Sequence, residues 1–245
     1  MLYVIRESIH NGEWADTVIA YDPVAGLSGT DGLVELLFTG EYPVLTWAPF
    51  LIASMAVARL DLPRARVRGR LARTGGALAV LGYGGSWLAL SLVPGAHSTI
   101  AATDGDSGAS AWWSDTVGYL IGDTPVTWLL VGVPHSQTTF SILGNSGVAL
   151  ALIAACVAAT ERLPRLTRLF APVSAVGVIA LTAYVLHVLA IAAVGMEEET
   201  GPALLALTCA IAAAMVLAVG WTRHFRRGPL EWLLHHSTGV ARFIR

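Results

Sequence analysis

The chain has 245 residues, of which 55% are hydrophobic and only 13% are charged, and its mean hydropathy is +0.63. A soluble domain carries about 25% charged residues, so this composition excludes an ordinary soluble globular protein. The net charge of −2 is small because 15 basic and 17 acidic residues nearly cancel, and the sequence has no phosphate-binding glycine loop, no zinc motif and nothing that supports nucleic-acid binding.

Long uncharged stretches predict an all-α polytopic membrane helix bundle with about five transmembrane helices. A helix needs about 17–25 largely apolar residues to cross the hydrocarbon core. The predicted spans cover residues 43–60, 75–93, 138–160, 171–194 and 202–221. Interfacial helices are expected before the first span, at 32–39, and in the loop 94–137, where Trp112 and Trp113 favour the headgroup region.

Charge is distributed unevenly between the loops that connect these spans. Fourteen of the 15 basic residues fall on one side of the membrane, and 14 of the 17 acidic residues fall on the other. Arginine-rich loops stay in the cytoplasm because they resist translocation. The sequence therefore predicts a multi-pass plasma-membrane protein with a cytoplasmic C-terminus, surrounded by membrane lipids.

The same pattern divides the chain into three parts. Residues 1–31 are predicted as an extracytoplasmic segment, 32–227 as the helix bundle and 228–245 as a cytoplasmic amphipathic tail. Five spans and an inside C-terminus place the N-terminus outside, although residues 2–5 are too short for the apolar core of a signal peptide. We therefore expect the chain to be a C-terminal fragment that lacks an N-terminal half of the bundle, or to form a homo-oligomer.

Small residues and cysteines within the spans carry simpler expectations. Gly82, Gly84 and Gly85 predict close contact with a neighbouring helix, since small residues let backbones approach in lipid. Cys156 and Cys209 lie in mid-span among apolar residues, where thiols behave as small hydrophobic groups. Neither a disulfide nor a metal site is expected.

His187 is the clearest polar candidate inside a span. Ionisable groups within spans are costly, so each is a candidate functional residue. Tyr184 precedes His187 by three residues and therefore shares its helical face. The pair predicts a groove that faces protein, with His187 as a general base and Tyr184 as a substrate ligand. A structural histidine bonded to a neighbouring helix is the alternative, and the sequence does not separate the two.

A second polar group opens the third span. Thr138, Ser141 and Asn145 share one helical face, and Asn145 lies on the order of 10 Å below the start of the helix. This depth predicts a hydrated or ligand-filled cavity, because polar groups are costly against lipid. Ser136, Ser141 and Asn145 are thus candidate substrate ligands, and His135 at the rim is a candidate base. Ordinary capping of the helix is the alternative for Ser136 and Thr138.

Glu41 and Tyr42 precede the first span on the outer side. A carboxylate beside an imidazole orients it and raises its basicity for proton abstraction. Glu41 is therefore a candidate catalytic partner of His135 or His187, and Tyr42 a candidate substrate ligand. The alternative is an acid at headgroup level that only begins the helix.

Arginines on the inner side are candidates for binding an anionic cytosolic ligand. Arg59, Arg64 and Arg227 would contact the phosphates of a nucleotide or of coenzyme A. The alternative is that they fix the topology and attract anionic headgroups, as juxtamembrane arginines do in general. The segment from Arg226 to His236 predicts a short amphipathic helix on the inner surface.

Several of these stretches together resemble a known family. They are Phe38-Thr39-Gly40-Glu41-Tyr42-Pro43-Val44-Leu45-Thr46-Trp47, Pro134-His135-Ser136, Leu143-Gly144-Asn145-Ser146-Gly147, Leu181-Thr182-Ala183-Tyr184-Val185-Leu186-His187 and Gly228-Pro229-Leu230-Glu231-Trp232. They look like the C-terminal half of actinobacterial heparan-α-glucosaminide N-acetyltransferase-like multi-pass proteins, from about Gly32 to Trp232.

The resemblance implies a transmembrane acyltransferase. Enzymes of that class pass an acyl group from a cytosolic coenzyme A thioester to a sugar or lipid on the far side, usually with a histidine and an acidic partner. The matched positions are Glu41, Tyr42, His135, Ser136, His187, Arg227 and Glu231. The Asp-x-x-Arg-Gly-like signature of the family's N-terminal half has no match in this sequence, which agrees with a fragment.

The leading interpretation is a membrane-embedded acyltransferase with acyl-CoA as co-substrate, an extracytoplasmic glycan or lipid as acceptor and no tightly bound cofactor or metal. A transporter or lipid-binding membrane protein would use the same polar residues without chemistry. A structural membrane subunit without a site is the third interpretation, and tolerated substitution of Asn145 and His187 would favour it.

Overall fold

The described part of the chain is mainly helical. The computed structural model describes residues 13–22, 25, 32–39, 43–104, 108–113, 125–134, 136–194 and 203–239. Within these ranges the chain forms helices, turns and short irregular segments, without strands. The prediction of an all-α membrane helix bundle is confirmed. By internal contacts the chain divides into two compact units, Met1–Ala158 and Ala159–Arg245.

The first unit holds one very long helix and several shorter ones. Its helices are α1 (Glu13–Ala20), α2 (Gly32–Val34, extended by a π-helical turn Glu35–Thr39), α3 (Val44–Ala58), α4 (Ala65–Leu92), α5 (Ala96–Asp104) and α6 (Thr139–Arg162), of which the residues up to Ala158 belong to this unit. Two 3-10 turns, Gly108–Ser110 and Val126–Leu130, lie between α5 and α6 in the chain.

The second unit contains the remaining helices. They are α7 (Pro164–Leu169), α8 (Ala171–Val178), α9 (Ala180–Val194), α10 (Ala203–His224) and α11 (Pro229–Gly239). The predicted amphipathic tail is thus a helix, and it begins with a proline, which fits a first helical turn because no partner is needed there for the missing N–H. The side chains of Trp232, Leu233 and Leu234 on α11 are all more than half exposed.

Among the described residues, three helices are long and apolar enough to cross a membrane: α4, α6 and Leu204–His224 within α10. The pair α8 and α9 is bent by 87° at a short break, and it would count as a fourth span. The helix in the first predicted span, α3, has only 15 residues. At about 1.5 Å per residue it is about 22 Å long, short of a hydrocarbon core of about 30 Å. The fifth span therefore stays a prediction.

Helix α4 begins earlier than the span predicted at 75–93. The predicted spans leave residues 61–74 as an arginine-rich loop, and this is wrong for Arg66 to Arg73, which lie in the first turns of α4. With 28 residues, α4 is about 42 Å long, which exceeds the hydrocarbon core by roughly 12 Å. Its arginine-rich start therefore extends beyond the apolar layer without interrupting the helix.

An apolar core of the first unit surrounds the end of α4. Its buried members are Leu90, Ala96, Ile100, Ala111, Trp128, Val131 and Val133. Ser86 Oγ donates a hydrogen bond to the Leu130 carbonyl at 2.6 Å, and Gly132 N donates to the Ala111 carbonyl at 3.0 Å. The described parts of the predicted outer loop, which include α5 and the turn Val126–Leu130, therefore form a compact cap at the end of α4 and not an extended connection.

Helices α4 and α6 approach each other at glycines. A Cβ atom on Gly82 would overlap Gly144 N, and one on Gly85 would lie 2.8 Å from Phe140 Cε1. The predicted close contact is confirmed at these two positions. It is wrong at Gly84, where the nearest atom is 3.8 Å away on α4 itself. Backbone contact of this kind fixes the relative register of the two helices, because small residues allow it at few positions.

Candidate functional site

A chain of polar groups joins α4 to the first two turns of α6. Tyr83 OH donates a hydrogen bond to Asn145 Oδ1 at 2.9 Å, and Asn145 Nδ2 donates to Ser141 Oγ at 3.1 Å. Tyr83 lies in a π-helical turn of α4, Val80–Gly84. Such turns are rare and are frequently found at functional sites.

The polar chain continues at the start of α6. Thr138 Oγ1 accepts from Ser141 N at 3.1 Å, which caps the helix, and donates to the Val131 carbonyl at 2.6 Å. Ser136 Oγ donates to the Val133 carbonyl at 2.8 Å and lies 3.3 Å from Thr138 Oγ1. Ser136 is fully buried. Thr138 therefore caps the start of α6, as the capping alternative expects. Its hydroxyl also joins α6, through the Val131 carbonyl, to the apolar core at the end of α4.

These contacts explain why polar residues are tolerated so deep in α6. The predicted face of Thr138, Ser141 and Asn145 is turned toward protein, and each side chain has a hydrogen-bond partner there. A ligand is not needed to satisfy them. Ligand binding by Ser136, Ser141 and Asn145 stays a prediction, and the structure adds Tyr83 as their direct partner.

His187 and Tyr184 lie on the exposed surface of α9. Tyr184 is 65% exposed, and Leu186, Val188 and Leu189 around His187 are all exposed as well. In the described part of the chain, neither polar side chain has a hydrogen-bond partner. The predicted protein-facing groove is therefore not formed by the helices of the second unit. The pair presents an imidazole and a phenol on an otherwise apolar surface.

The break between α8 and α9 is the most distinctive polar feature of the second unit. Ile179 is fully buried at the break, and Thr182 lies in the first turn of α9. Thr182 Oγ1 donates to Glu231 Oε2 at 2.5 Å, and Thr182 N donates to Glu231 Oε1 at 3.1 Å. Leu230 N in turn donates to Thr182 Oγ1 at 3.2 Å. These bonds join the first turn of α11 to the first turn of α9.

The Glu231 carboxylate is held in its charged form by these contacts. Burial raises the pKa of the carboxyl group, and hydrogen bonds from the side chain and backbone of Thr182 lower it. The hydrogen bonds prevail, so the pKa of Glu231 lies below its ordinary value. The group therefore accepts hydrogen bonds as an anion at neutral pH.

The candidate phosphate-binding arginines are all exposed. Arg59 follows the last residue of α3, and Arg64 pairs with Asp61 at 2.6 Å. The Arg227 carbonyl accepts from Trp221 Nε1 at 2.9 Å. Arg68 is different, since it is 8% exposed and donates to the carbonyls of Leu62 and Pro63. Arg68 thus stabilises the turn between α3 and α4, whereas the other three leave their guanidinium groups accessible.

Three of the predicted site residues, Glu41, Tyr42 and His135, lie outside the described residues. Their proposed meeting with His187 is therefore untested. Within the described ranges, no group of three or more His, Cys, Asp or Glu side chains is placed to hold a metal ion. Cys156 and Cys209 are exposed free thiols.

Comparison with known proteins gives one family. The family described as "Protein of unknown function (DUF418)" matches residues 108–241, which is more than half of the chain. The chain belongs to the DUF418 family. DUF418 proteins are multi-pass membrane proteins, in agreement with the apolar helices. No curated protein and no solved structure matches the chain.

The DUF418 match includes Ser136, Asn145, His187 and Glu231, whereas Tyr83 lies before it. Sequence reasoning missed Tyr83, although its position between glycines of the α4 contact was a usable signal. It also gave Thr182 no role, and it named Glu231 only through a resemblance. Neither residue stands out by spacing, since 49 positions separate the two hydrogen-bonded partners.

Proposed function

We propose that this DUF418 protein is a membrane-embedded acyltransferase with His187 or His135 as its general base. The observation that carries the proposal is the exposed His187–Tyr184 pair on α9. An imidazole surrounded by exposed apolar side chains is costly in lipid, so it needs a polar partner that the described helices do not supply. An acceptor hydroxyl or amine would be such a partner. The resemblance to heparan-α-glucosaminide N-acetyltransferase-like proteins supports the same chemistry.

The proposed reaction begins with an acyl-CoA on the cytoplasmic side. Arg59, Arg64 and Arg227 contact its phosphates, with Arg64 exchanging Asp61 for the ligand. His187 or His135 takes the proton of an extracytoplasmic sugar or lipid hydroxyl, or of an amine, while Glu41 orients the imidazole. The acceptor atom forms a bond to the acyl carbon, whose bond to sulfur breaks. The proton passes to the sulfur, and coenzyme A leaves as the free thiol.

The experiment is acyl transfer by the full native protein in proteoliposomes, with radiolabelled acetyl-CoA outside and lipid or glycan acceptors inside. Positioned general bases contribute about 10²–10⁴-fold to rate. His187→Ala or His135→Ala is therefore expected to lower transfer by at least about 10²-fold. His235→Ala is the matched control, because His235 is exposed on α11 and forms no part of the proposed site.

Two results would contradict the proposal. Wild-type protein that neither binds acetyl-CoA nor transfers the label is no acyltransferase. Transfer that survives both histidine substitutions would remove the assigned base. Ligand uptake that is independent of any acyl donor would instead favour a transporter.

A further inference from the structure

The break at Ile179 creates a helix start that its own sequence does not cap. The first turn of an α-helix has backbone N–H groups without intrahelical partners, and an N-cap side chain with an oxygen usually accepts one of them. Ile179 precedes α9 and accepts the first helical bond from Ala183 N at 2.8 Å. Its side chain is a hydrocarbon and cannot accept a hydrogen bond. In a lipid setting, an unsatisfied N–H is especially costly.

Glu231 supplies the missing cap from another helix. Its Oε1 accepts from Thr182 N, the third residue of α9, which is where an N-cap side chain normally bonds. A carboxylate at this point also interacts favourably with the positive end of the helix dipole. Glu231 therefore performs across 49 residues what an Asp or Ser at position 179 would perform locally.

The close fit around this contact shows that the arrangement is built into α11. Thr182 is only 6% exposed, and Gly228 just before α11 is buried. A Cβ atom on Gly228 would overlap Glu231 Oε2 and lie 2.6 Å from Thr182 Oγ1. Glycine at 228 thus leaves the space that the carboxylate and the hydroxyl occupy.

We propose that Glu231 holds the broken span in its bent conformation and thereby positions His187. A continuous helix from 171 to 193 would pair Thr182 N with the carbonyl four residues earlier, and that pairing competes with the bond to Glu231. The bend therefore persists while the carboxylate is in place. His187 follows Thr182 by five residues on the same helix, so the direction of α9 sets where the imidazole lies. Only this last step rests on the proposed function.

The test is a distance across the bend, measured between spin labels on Ala171→Cys and Ala193→Cys by pulsed electron paramagnetic resonance. Both positions are exposed, and the native Cys156 and Cys209 are replaced by alanine. From a rise of about 1.5 Å per residue, the two Cα atoms are about 33 Å apart in a straight helix and about 25 Å apart at the 87° bend.

Near-isosteric substitutions isolate the contact. Glu231→Gln and Thr182→Val each remove part of it. The label distance is then expected either to lengthen by up to about 8 Å or to split into two populations that differ by up to about 8 Å. Thr182→Ser keeps the hydroxyl and is expected to restore the wild-type distance. His235→Gln alters α11 away from Thr182 and is expected to leave the distance unchanged. The proposal is overturned if Glu231→Gln and Thr182→Val both keep the wild-type distance.

The distance does not depend on catalysis, so the two proposals fail separately. If wild-type protein transfers no acyl group, the acyltransferase assignment fails and the label distance still decides the role of Glu231. If transfer occurs, Glu231→Gln and Thr182→Val are expected to lower kcat with little change in the KM for acetyl-CoA, and Thr182→Ser to restore it. An unchanged kcat in a protein whose bend has opened would show that the bend does not position His187.

Discussion

At the scale of single residues, removal of the hydrogen bond between Tyr83 and Asn145 tests the packing of α4 against α6 most directly. Both side chains are partly buried, and removing one partner of a fully buried bond typically costs about 1–3 kcal/mol, so the lower end of that range applies. In membrane proteins the measured coupling of such pairs averages about 0.6 kcal/mol, since alternative partners exist. We expect Tyr83→Phe to destabilise the protein by about 1 kcal/mol in chemical unfolding from mixed micelles.

A double-mutant cycle separates this bond from general repacking. Tyr83→Phe combined with Asn145→Leu is expected to cost less than the sum of the two single changes, by about 0.6 kcal/mol. Ser91→Ala on the same helix is the control, because the Ser91 hydroxyl bonds only within α4, to the Trp87 carbonyl, and is exposed. Strict additivity would show that the Tyr83–Asn145 contact makes no net contribution.

At the scale of helices, two neighbouring glycines of α4 make a matched pair. Gly82 faces the backbone of Gly144 on α6, whereas Gly84 faces open space apart from Val80 on its own helix. Overpacking costs typically about 1–3 kcal/mol. Gly82→Ala is therefore expected to lower the melting temperature in detergent, while Gly84→Ala, which gains helix propensity of up to about 1 kcal/mol, is expected to preserve or raise it. Equal effects of both substitutions would contradict the close contact.

The helices also show what could be predicted from the sequence and what could not. Long uncharged stretches predicted α4, α6 and α10 because lipid demands continuous apolar helix, which is a local property. The break at Ile179 was missed, since residues 171–194 form one stretch without Asp, Glu, Lys or Arg and the cap that stabilises the break comes from Glu231, far along the chain. The deep polar face of α6 was predicted from spacing, yet its partner Tyr83 depends on how α4 and α6 pack. Tertiary contacts of this kind leave no periodic signal.

At the scale of the whole molecule, the two ends of α4 are expected on opposite sides of the membrane. The helix is longer than the hydrocarbon core, its start carries arginines, and the cap that follows its end carries none in the described residues. Arginine-rich segments are retained in the cytoplasm. The start of α4 should therefore be cytoplasmic, and the cap formed by α5 and the turn at Val126–Leu130 should be outside.

Cysteine labelling in intact cells tests this orientation, in a variant with Cys156 and Cys209 replaced by alanine. Ser98→Cys on α5 and Leu81→Cys on α4 are both exposed positions, and Leu81 lies near the middle of α4. A membrane-impermeant maleimide is expected to label Ser98→Cys in intact cells and to label Ser237→Cys on α11 only after permeabilisation. Leu81→Cys, in the middle of α4 and within the apolar layer, should react slowly in both cases, because thiolate formation is suppressed there. Labelling of Ser98→Cys and Ser237→Cys from the same side would require an even number of crossings between them, and the charge-based topology would then be wrong.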